Sequence, residues 1–305
     1  MTCAPVDPAA VAATAARRAG VRIRPLATID EMAAACRLLD DVWEIPPGET
    51  SEVRPSLLRA LEHAGNYLVA AHLTDGPRRG EMVAASVAFF GSPVGRSLHS
   101  HITGVRPGAG RGIGAAVKWH QRAWAIERGL STITWTYDPL IARNSYFNLC
   151  RLGARPERYH VDFYGPMDDG PNRGQPTDRV DAVWDLHAGT TTAAASRVAV
   201  DGPAGPRVAD LLAEGAAVLL SVGPDGEPVA GDVPVTGDDP VDGGAGVRLI
   251  GIPPDIEALR HRDRAAALRW RHALRDVLGP ALAGDRLRVT GFAKPGWYVL
   301  EPAGR

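Results

Sequence analysis

Two histidines, His99 and His101, stand in an alternating stretch, Ser97-Leu98-His99-Ser100-His101-Ile102-Thr103-Gly104-Val105. An imidazole with its ordinary pKa of about 6.5 can take a proton from an ammonium at neutral pH, directly or through water. Period-two alternation predicts that both rings share one strand face, with Thr103 continuing it. A metal pair is disfavoured, because no third Cys, His or acidic ligand stands at supporting spacing. General base and half-exposed structural pair both remain open. Asp138 and Asp162 are alternative proton acceptors, although Asp138 precedes Pro139 and equally suits a helix cap. Cys150 is the weakest candidate nucleophile, on a predicted buried side with no local histidine.

The histidine stretch runs straight into Arg106-Pro107-Gly108-Ala109-Gly110-Arg111-Gly112-Ile113-Gly114 and then a long helical pattern. A strand, a glycine turn and a helix together make an anion cradle. Glycines at 110, 112 and 114 carry no β-carbon to hold an anion off the backbone, and the following helix offers free N–H groups and its positive dipole end. Two familiar templates fit poorly. The loop has no Gly-Lys-Ser/Thr, and the acidic residue that a dinucleotide fold needs about 20 residues further on is missing. The next strand reads Thr132-Ile133-Thr134-Trp135-Thr136, and its first carboxylate, Asp138, comes too late.

The elements that must position this segment read as follows. Residues 21 to 26 alternate and predict a strand. Thr28-Ile29-Asp30-Glu31 is a capping box, followed by Met32, Cys36, Leu39, Val42 and Trp43 on one helical face. A second helix starts after Pro55. Residues 67 to 73, 82 to 90 and 97 to 105 predict three consecutive strands, with a hairpin-like connection between the first two. A helix from Ala115 to Glu127, a stop at Gly129 and a strand over 131 to 137 come next. Then follow a turn, a helix and a glycine stop at Gly153.

Val-x-Pro followed by Gly-x-Gly-x-Gly-Ala and a helix resembles the pyrophosphate loop of the GNAT (GCN5-related N-acetyltransferase) superfamily, and the order of elements is similar to that fold. Val105, Pro107, Gly110, Arg111, Gly112, Ile113 and Gly114 fall on the motif. The resemblance implies an α/β (α+β) architecture with a mixed central sheet flanked by helices. It also implies a coenzyme A thioester, acetyl-CoA or succinyl-CoA, as co-substrate, whose pyrophosphate is held by N–H groups from Arg111 to Ala115. Backbone N–H groups around Thr103 to Val105 would act as the oxyanion donor, and Asn144 and Asn148 would bind pantetheine or substrate or tie down a neighbouring strand. The motif departs at Ala109, where the family has Arg or Gln, and the loop is one residue shorter. The family's tyrosine acid falls on Leu149, leaving Tyr146, one turn earlier, or Cys150 to substitute with altered geometry. Asp-Pro-Leu, Arg-Asn-x-Tyr-Phe-Asn, Leu-Gly-Ala and Asp162-Phe163-Tyr164-Gly165 resemble a branch with an additional C-terminal portion, some of whose members N-acylate amino acids.

Composition bounds these readings. The 305 residues are comfortable for two domains, and 34 basic against 35 acidic residues give a formal charge of -1. No basic stripe with interleaved aromatics points to nucleic acid, and no apolar run is long enough for a membrane span. Three cysteines, Cys3, Cys36 and Cys150, without metal or CxxC spacing indicate a reducing, cytoplasmic setting. We expect a frayed or loosely docked extension over 1 to 20, a coenzyme-binding domain over 21 to 186 and a linker over 187 to 206. A smaller C-terminal α/β domain over 207 to 305 reads as a degenerate GNAT-like half. In the last third, strands 216 to 222 and 246 to 252 flank a mobile tip at 237 to 246. A helix begins at Asp255 or Arg264, with Trp270, Leu274 and Leu278 buried, and two strands close the chain. The Arg-rich helix reads as a solvated face, or as a basic wall for an acyl carboxylate or the coenzyme's 3'-phosphate. The expected partner is a small-molecule amine or amino acid, with a homodimer open as a role for the C-terminal portion. A hydrolase or decarboxylase using the same coenzyme, and a non-catalytic acyl-CoA-binding module, are the competing functions.

Overall fold

A computed structural model describes residues 7–46, 51–165, 174–200, 205–231 and 246–303. The expected tip at 237 to 246, apart from Gly246, and Cys3 lie outside the described residues. The chain divides into two compact units that interleave in sequence, Met1–Trp135 with Trp184–Gly202, and Thr136–Val183 with Pro203–Arg305.

The first unit holds strands β1 (Val21–Pro25), β2 (Tyr67–Leu73), β3 (Met82–Phe90) and β4 (Ser97–Val105), each antiparallel to the next, and β5 (Thr132–Tyr137), which runs parallel to β4. This is the mixed sheet the sequence predicts. Helices α2 (Ile29–Trp43) and α3 (Pro55–His63) cover one face. There Met32, Leu38, Leu39 and Leu58 pack with Leu68, Ala70, Val87 and Ile102. The capping box forms as read, with Thr28 Oγ1 accepting from Glu31 N–H at 3.2 Å. The other face carries α4 (Ile113–Glu127), on which the Tyr67 hydroxyl meets His120 Nδ1 at 3.0 Å.

Residues 8 to 18 are not a frayed extension. Asp7 caps α1 (Pro8–Arg18), Pro8 occupies the first turn where its missing N–H costs nothing, and Val11, Ala12 and Ala15 are buried. Alanine's small side chain lets α1 lie close against α4. The small-residue stretch at 187 to 206 likewise contains a helix, α6 (Gly189–Ser196), with Thr191, Ala194 and Ala195 buried.

The second unit opens with α5 (Ala142–Tyr146), which widens into a π-helical turn over Phe147–Leu152 and stops at Gly153, at φ 78°. Strands β6 (Arg155–His160) and β7 (Arg179–Asp185) pair antiparallel. A second sheet, in the order β11-β12-β10-β8-β9, contains β8 (Ala217–Val222), β9 (Pro228–Ala230), β10 (Arg248–Gly251), β11 (Leu287–Ala293) and β12 (Trp297–Pro302). Leu249, Ala293 and Val299 form its core with Val208 and Leu211 of α7 (Val208–Ala213). The two expected helix starts are both real. Asp255 caps α8 (Ile256–Arg262) through Ala258 N–H at 2.9 Å, and Asp263 caps α9 (Arg264–Ala283) through Ala266 N–H at 2.9 Å.

Candidate active site

The register of β4 against β3 slips between Val87 and Ala88, so Val87 faces Ile102 while Ala88 faces Ser100. His101 is the extra residue of a β-bulge, and a bulge breaks alternation. The consequences are visible on both sides. Beyond the bulge, a β-carbon at Gly104 would press on Leu39 and Trp43 of α2, while Val105 faces α4 at Gly114. Thr103 shares Val105's parity, and its hydroxyl meets that of Ser86 at 2.7 Å. Before the bulge, Ser100 is the residue that meets α4, through Lys118. His99 and His101 do stay together, their ring centroids 5.3 and 5.7 Å from that of Phe89 and 6.5 Å from each other. Thr103, which alternation placed with them, therefore lies on the opposite face.

The pair is not equivalent. His99 is half-buried, with Nδ1 3.3 Å from Thr134 Oγ1, whereas His101 reaches solvent. Burial of part of the His101 ring lowers its pKa below the ordinary value, with the Glu52 carboxylate opposing. The neutral form, which can accept a proton, is thereby favoured at neutral pH.

β4 and β5 pair over Ser97 with Thr132, Leu98 with Ile133 and His99 with Thr134, and no further. β4 then continues to Val105 with no rung to β5. The strands form a fork that opens immediately after His99.

At the far end of β4 the loop from Arg106 to Gly112 turns with Ala109 N–H donating to Arg106 O at 3.1 Å. Gly108, Gly110 and Gly112 hold φ of 71°, 128° and 83°, a backbone that side-chain-bearing residues rarely adopt. The first α4 bond runs from Ala116 N–H to Gly112 O at 2.9 Å, and no side chain caps the helix. The N–H groups of Ile113, Gly114 and Ala115 thus have no intrahelical acceptor. Gly110, Arg111 and Gly112 are exposed and Gly114 and Ala115 half-buried, so the cradle is open to a ligand. A phosphate group fits this donor set. Ala109, the departure from the motif, is buried within the loop.

Asp138 is no free base. Its carboxylate accepts from Arg271 at 2.6 and 2.7 Å, from Arg260 at 2.5 Å and from Leu140 N–H at 2.9 Å. Burial alone would raise its pKa, but the guanidinium groups of Arg271 and Arg260 outweigh burial and hold the carboxyl far below the usual range. Asp162, at φ 47°, is used by its own turn, accepting from Thr177 N–H and hydroxyl at 3.0 and 3.2 Å. The arginine-rich helices do present a solvated face, with His261, Arg262, Arg264, Arg269 and His272 exposed, but three of their arginines turn to carboxylates instead. Arg260 and Arg271 are buried on Asp138, Arg275 meets Asp178 at 2.9 and 3.0 Å, and Arg269 meets Glu227 at 2.6 Å. Trp270, Leu274 and Leu278 are buried as expected.

Among the remaining candidates, Tyr146 lies under the Lys294 ammonium, 4.4 Å from its ring centroid. Asn144 is half-buried and Asn148 buried. Cys150 is buried with Sγ donating to Phe292 O at 3.1 Å, and burial pushes the Cys36 thiol up to about 11, so neither is set up as a nucleophile. Among the described residues no cluster of His, Cys, Asp and Glu could hold a metal ion. No helix among them is long and apolar enough to cross a membrane.

One residue of this region went unread in the sequence. Lys118 of α4 is buried, as are Gln121 and Arg122 of the same helix, with no sequence signal beyond being one of the chain's two lysines.

No protein-family model matches the sequence, and no curated protein matches it. Among solved structures, the chain is similar to the ribosomal-protein-S18-alanine N-acetyltransferase from Escherichia coli, at 14% identity over 55% of this chain and 95% of that one, with a TM-score of 0.41. It is also similar to a putative acetyltransferase from Salmonella typhimurium with its cofactor acetyl-CoA, at 13% identity over 55% and 95%, TM-score 0.44. A third such structure is aminoglycoside 6'-acetyltransferase type Ii, at 13% identity over 55% and 98%, TM-score 0.41.

Proposed function

We propose that the chain is an acyl-CoA-dependent N-acyltransferase of the GNAT type. It transfers an acetyl, succinyl or similar acyl group to the amine of a small molecule, an amino acid by preference, through direct attack. The observation that carries this reading is the pairing of two features on one strand. β4 parts from β5 after His99, and six residues later it enters a glycine cradle whose N–H groups have no intrahelical acceptor. An extended coenzyme arm needs both a slot along a strand and an anion site at that strand's end.

In this reading the N–H groups from Arg111 to Ala115, with the turn at Gly110, hold the pyrophosphate. The β4 backbone from Thr103 to Val105 lies along the arm, and its unpaired edge offers N–H groups to the thioester carbonyl. His101, open to solvent at the bulge, takes the proton that the amine sheds as it attacks, with His99 behind it. Asn144 and Asn148 are assigned to the coenzyme arm by resemblance alone.

The reading is tested by incubating the full chain with acetyl-CoA or succinyl-CoA, with and without a panel of amino acids and other small amines, and following free thiol. Thiol release that requires the amine, with a matching amide product, is the expected result. Release at the same rate without any amine would make the protein a hydrolase, and binding without release would make it a carrier.

A further inference from the structure

Lys118 is 6% exposed, and its ammonium meets three groups. Nζ is 3.0 Å from Ser100 Oγ, 3.1 Å from Gln121 Oε1 and 3.7 Å from the centroid of the Trp135 ring. Ser100 directly follows His99 on β4, and Trp135 directly follows Thr134 on β5, the two residues of the last rung between the strands. Lys118 therefore touches both arms of the fork at the point where they part.

A lysine buried in such company is expensive to keep charged, because its neighbours offer dipoles and a π face but no full negative charge. From β4 it meets Ser100, from β5 Trp135, and from its own helix Gln121, whose Nε2 is buried with no hydrogen-bond partner. The nearest cation along α4 is Arg122, which donates to Leu186 O at 3.1 and 2.6 Å, and His120 is turned to Tyr67. Among the described residues no carboxylate pairs with Lys118. Burial alone pushes its pKa down to about 7, where the group gives and takes a proton readily.

We propose that Lys118 is the proton donor to the thiolate that leaves when the acyl group is transferred. The inference rests on the function proposed above. In the step, the amine nitrogen forms a bond to the acyl carbon, the carbon–sulfur bond breaks, and its electron pair goes to sulfur. One proton of the Lys118 ammonium passes to that sulfur. The proton shed by the attacking nitrogen goes to His101 or water, and Lys118 recovers one from solvent as the thiol departs. Thioester and amine become amide and thiol with nothing left over. Where the resemblance places a tyrosine acid this chain has Leu149, and the Tyr146 ring lies under the Lys294 ammonium.

An ordinary thiol holds its proton to a higher pH than Lys118 does, so Lys118 is neutral over the range in which the thiolate of bound coenzyme A appears, and a permanent cation at this position reports how close the sulfur lies. In Lys118→Arg the ultraviolet thiolate absorbance of the enzyme-bound coenzyme should appear about one pH unit or more below that of the parent complex, a tenfold change in proton affinity, and in Lys118→Met it should not, while calorimetric coenzyme affinity stays the same. Turnover of Lys118→Met should fall by about 10²- to 10⁴-fold and lose the alkaline limb that the parent shows as Lys118 deprotonates. Lys118→Arg, which keeps the charge but cannot release a proton, should shift the thiol without keeping the turnover. A bound thiol that titrates in Lys118→Arg as it does in the parent, or full turnover in a folded Lys118→Met, overturns the proposal. Coenzyme that fails to bind the parent at all overturns the proposed function instead, and this inference with it.

Discussion

The Arg271 guanidinium meets the Asp138 carboxylate at two points, 2.6 and 2.7 Å, with the two side chains 1% and 5% exposed. Two parallel charge-assisted bonds are the strong form of this contact. Asp138→Asn would leave Arg271 and Arg260 without their shared counter-charge, and breaking a buried pair from one side costs about 3–5 kcal/mol. Denaturant unfolding at neutral pH should show a loss of that size.

The same pair sets an acid limit. The folded-state pKa of Asp138 is depressed, so its contribution is complete above the unfolded carboxyl value of about 3.9 and disappears as pH falls below it. Unfolding free energy measured against pH should decline on the acid side in the parent and decline less steeply in Asp138→Asn. Parallel curves would mean that the pair carries no linked proton.

The capping box of α2 makes a smaller, local prediction. Glu31 accepts from the Ala27 and Thr28 N–H groups at 2.8 and 3.1 Å, and these bonds with Arg24 lower its pKa to about 2. Thr28→Ala should cost about 1 kcal/mol of stability. Activity per folded molecule should not change, because the cap's bonds run to Ala27, Thr28 and Arg24 of β1 and not to the strand that carries His101.

His101 should behave as a base and His99 as its support. His101→Ala is expected to slow transfer by about 10²- to 10⁴-fold with coenzyme affinity nearly intact. Because burial lowers the His101 pKa, the acid limb of kcat should fall below the ordinary histidine range, activity being lost as the ring gains its proton. Amines of different basicity separate this limb from ionisation of the substrate. Equal activity of both alanine variants across that range would exclude histidine as the base.

The local signals in the sequence carried far, and the long-range ones did not. The glycine cradle, the capping box, the order of strands and the stop at Gly153 are each written in a few adjacent residues. The bulge at His101 is invisible to alternation, since one inserted residue leaves the apolar pattern intact while turning Thr103 to the other face. Asp138 meets Arg260 and Arg271 across 122 and 133 residues, a pairing that no local pattern announces. β6 was missed because Arg155-Pro156-Glu157-Arg158-Tyr159-His160 is polar and contains proline, yet it pairs with β7. α1 was expected to be frayed or loosely docked and α6 to be linker, because alanine and threonine announce no core, whereas their small side chains are what allow close packing.

The most direct test of the account is calorimetric titration of coenzyme A into the parent protein and into Gly112→Asp. Aspartate tolerates the left-handed backbone that Gly112 adopts better than most residues, and its negative charge would repel an anion from the N–H groups proposed to hold the pyrophosphate. Coenzyme A should bind the parent and lose about tenfold or more in affinity for a variant whose circular dichroism is unchanged. Equal affinity of the two folded proteins for coenzyme A would contradict the assignment of the Gly110 to Gly114 loop as its phosphate site.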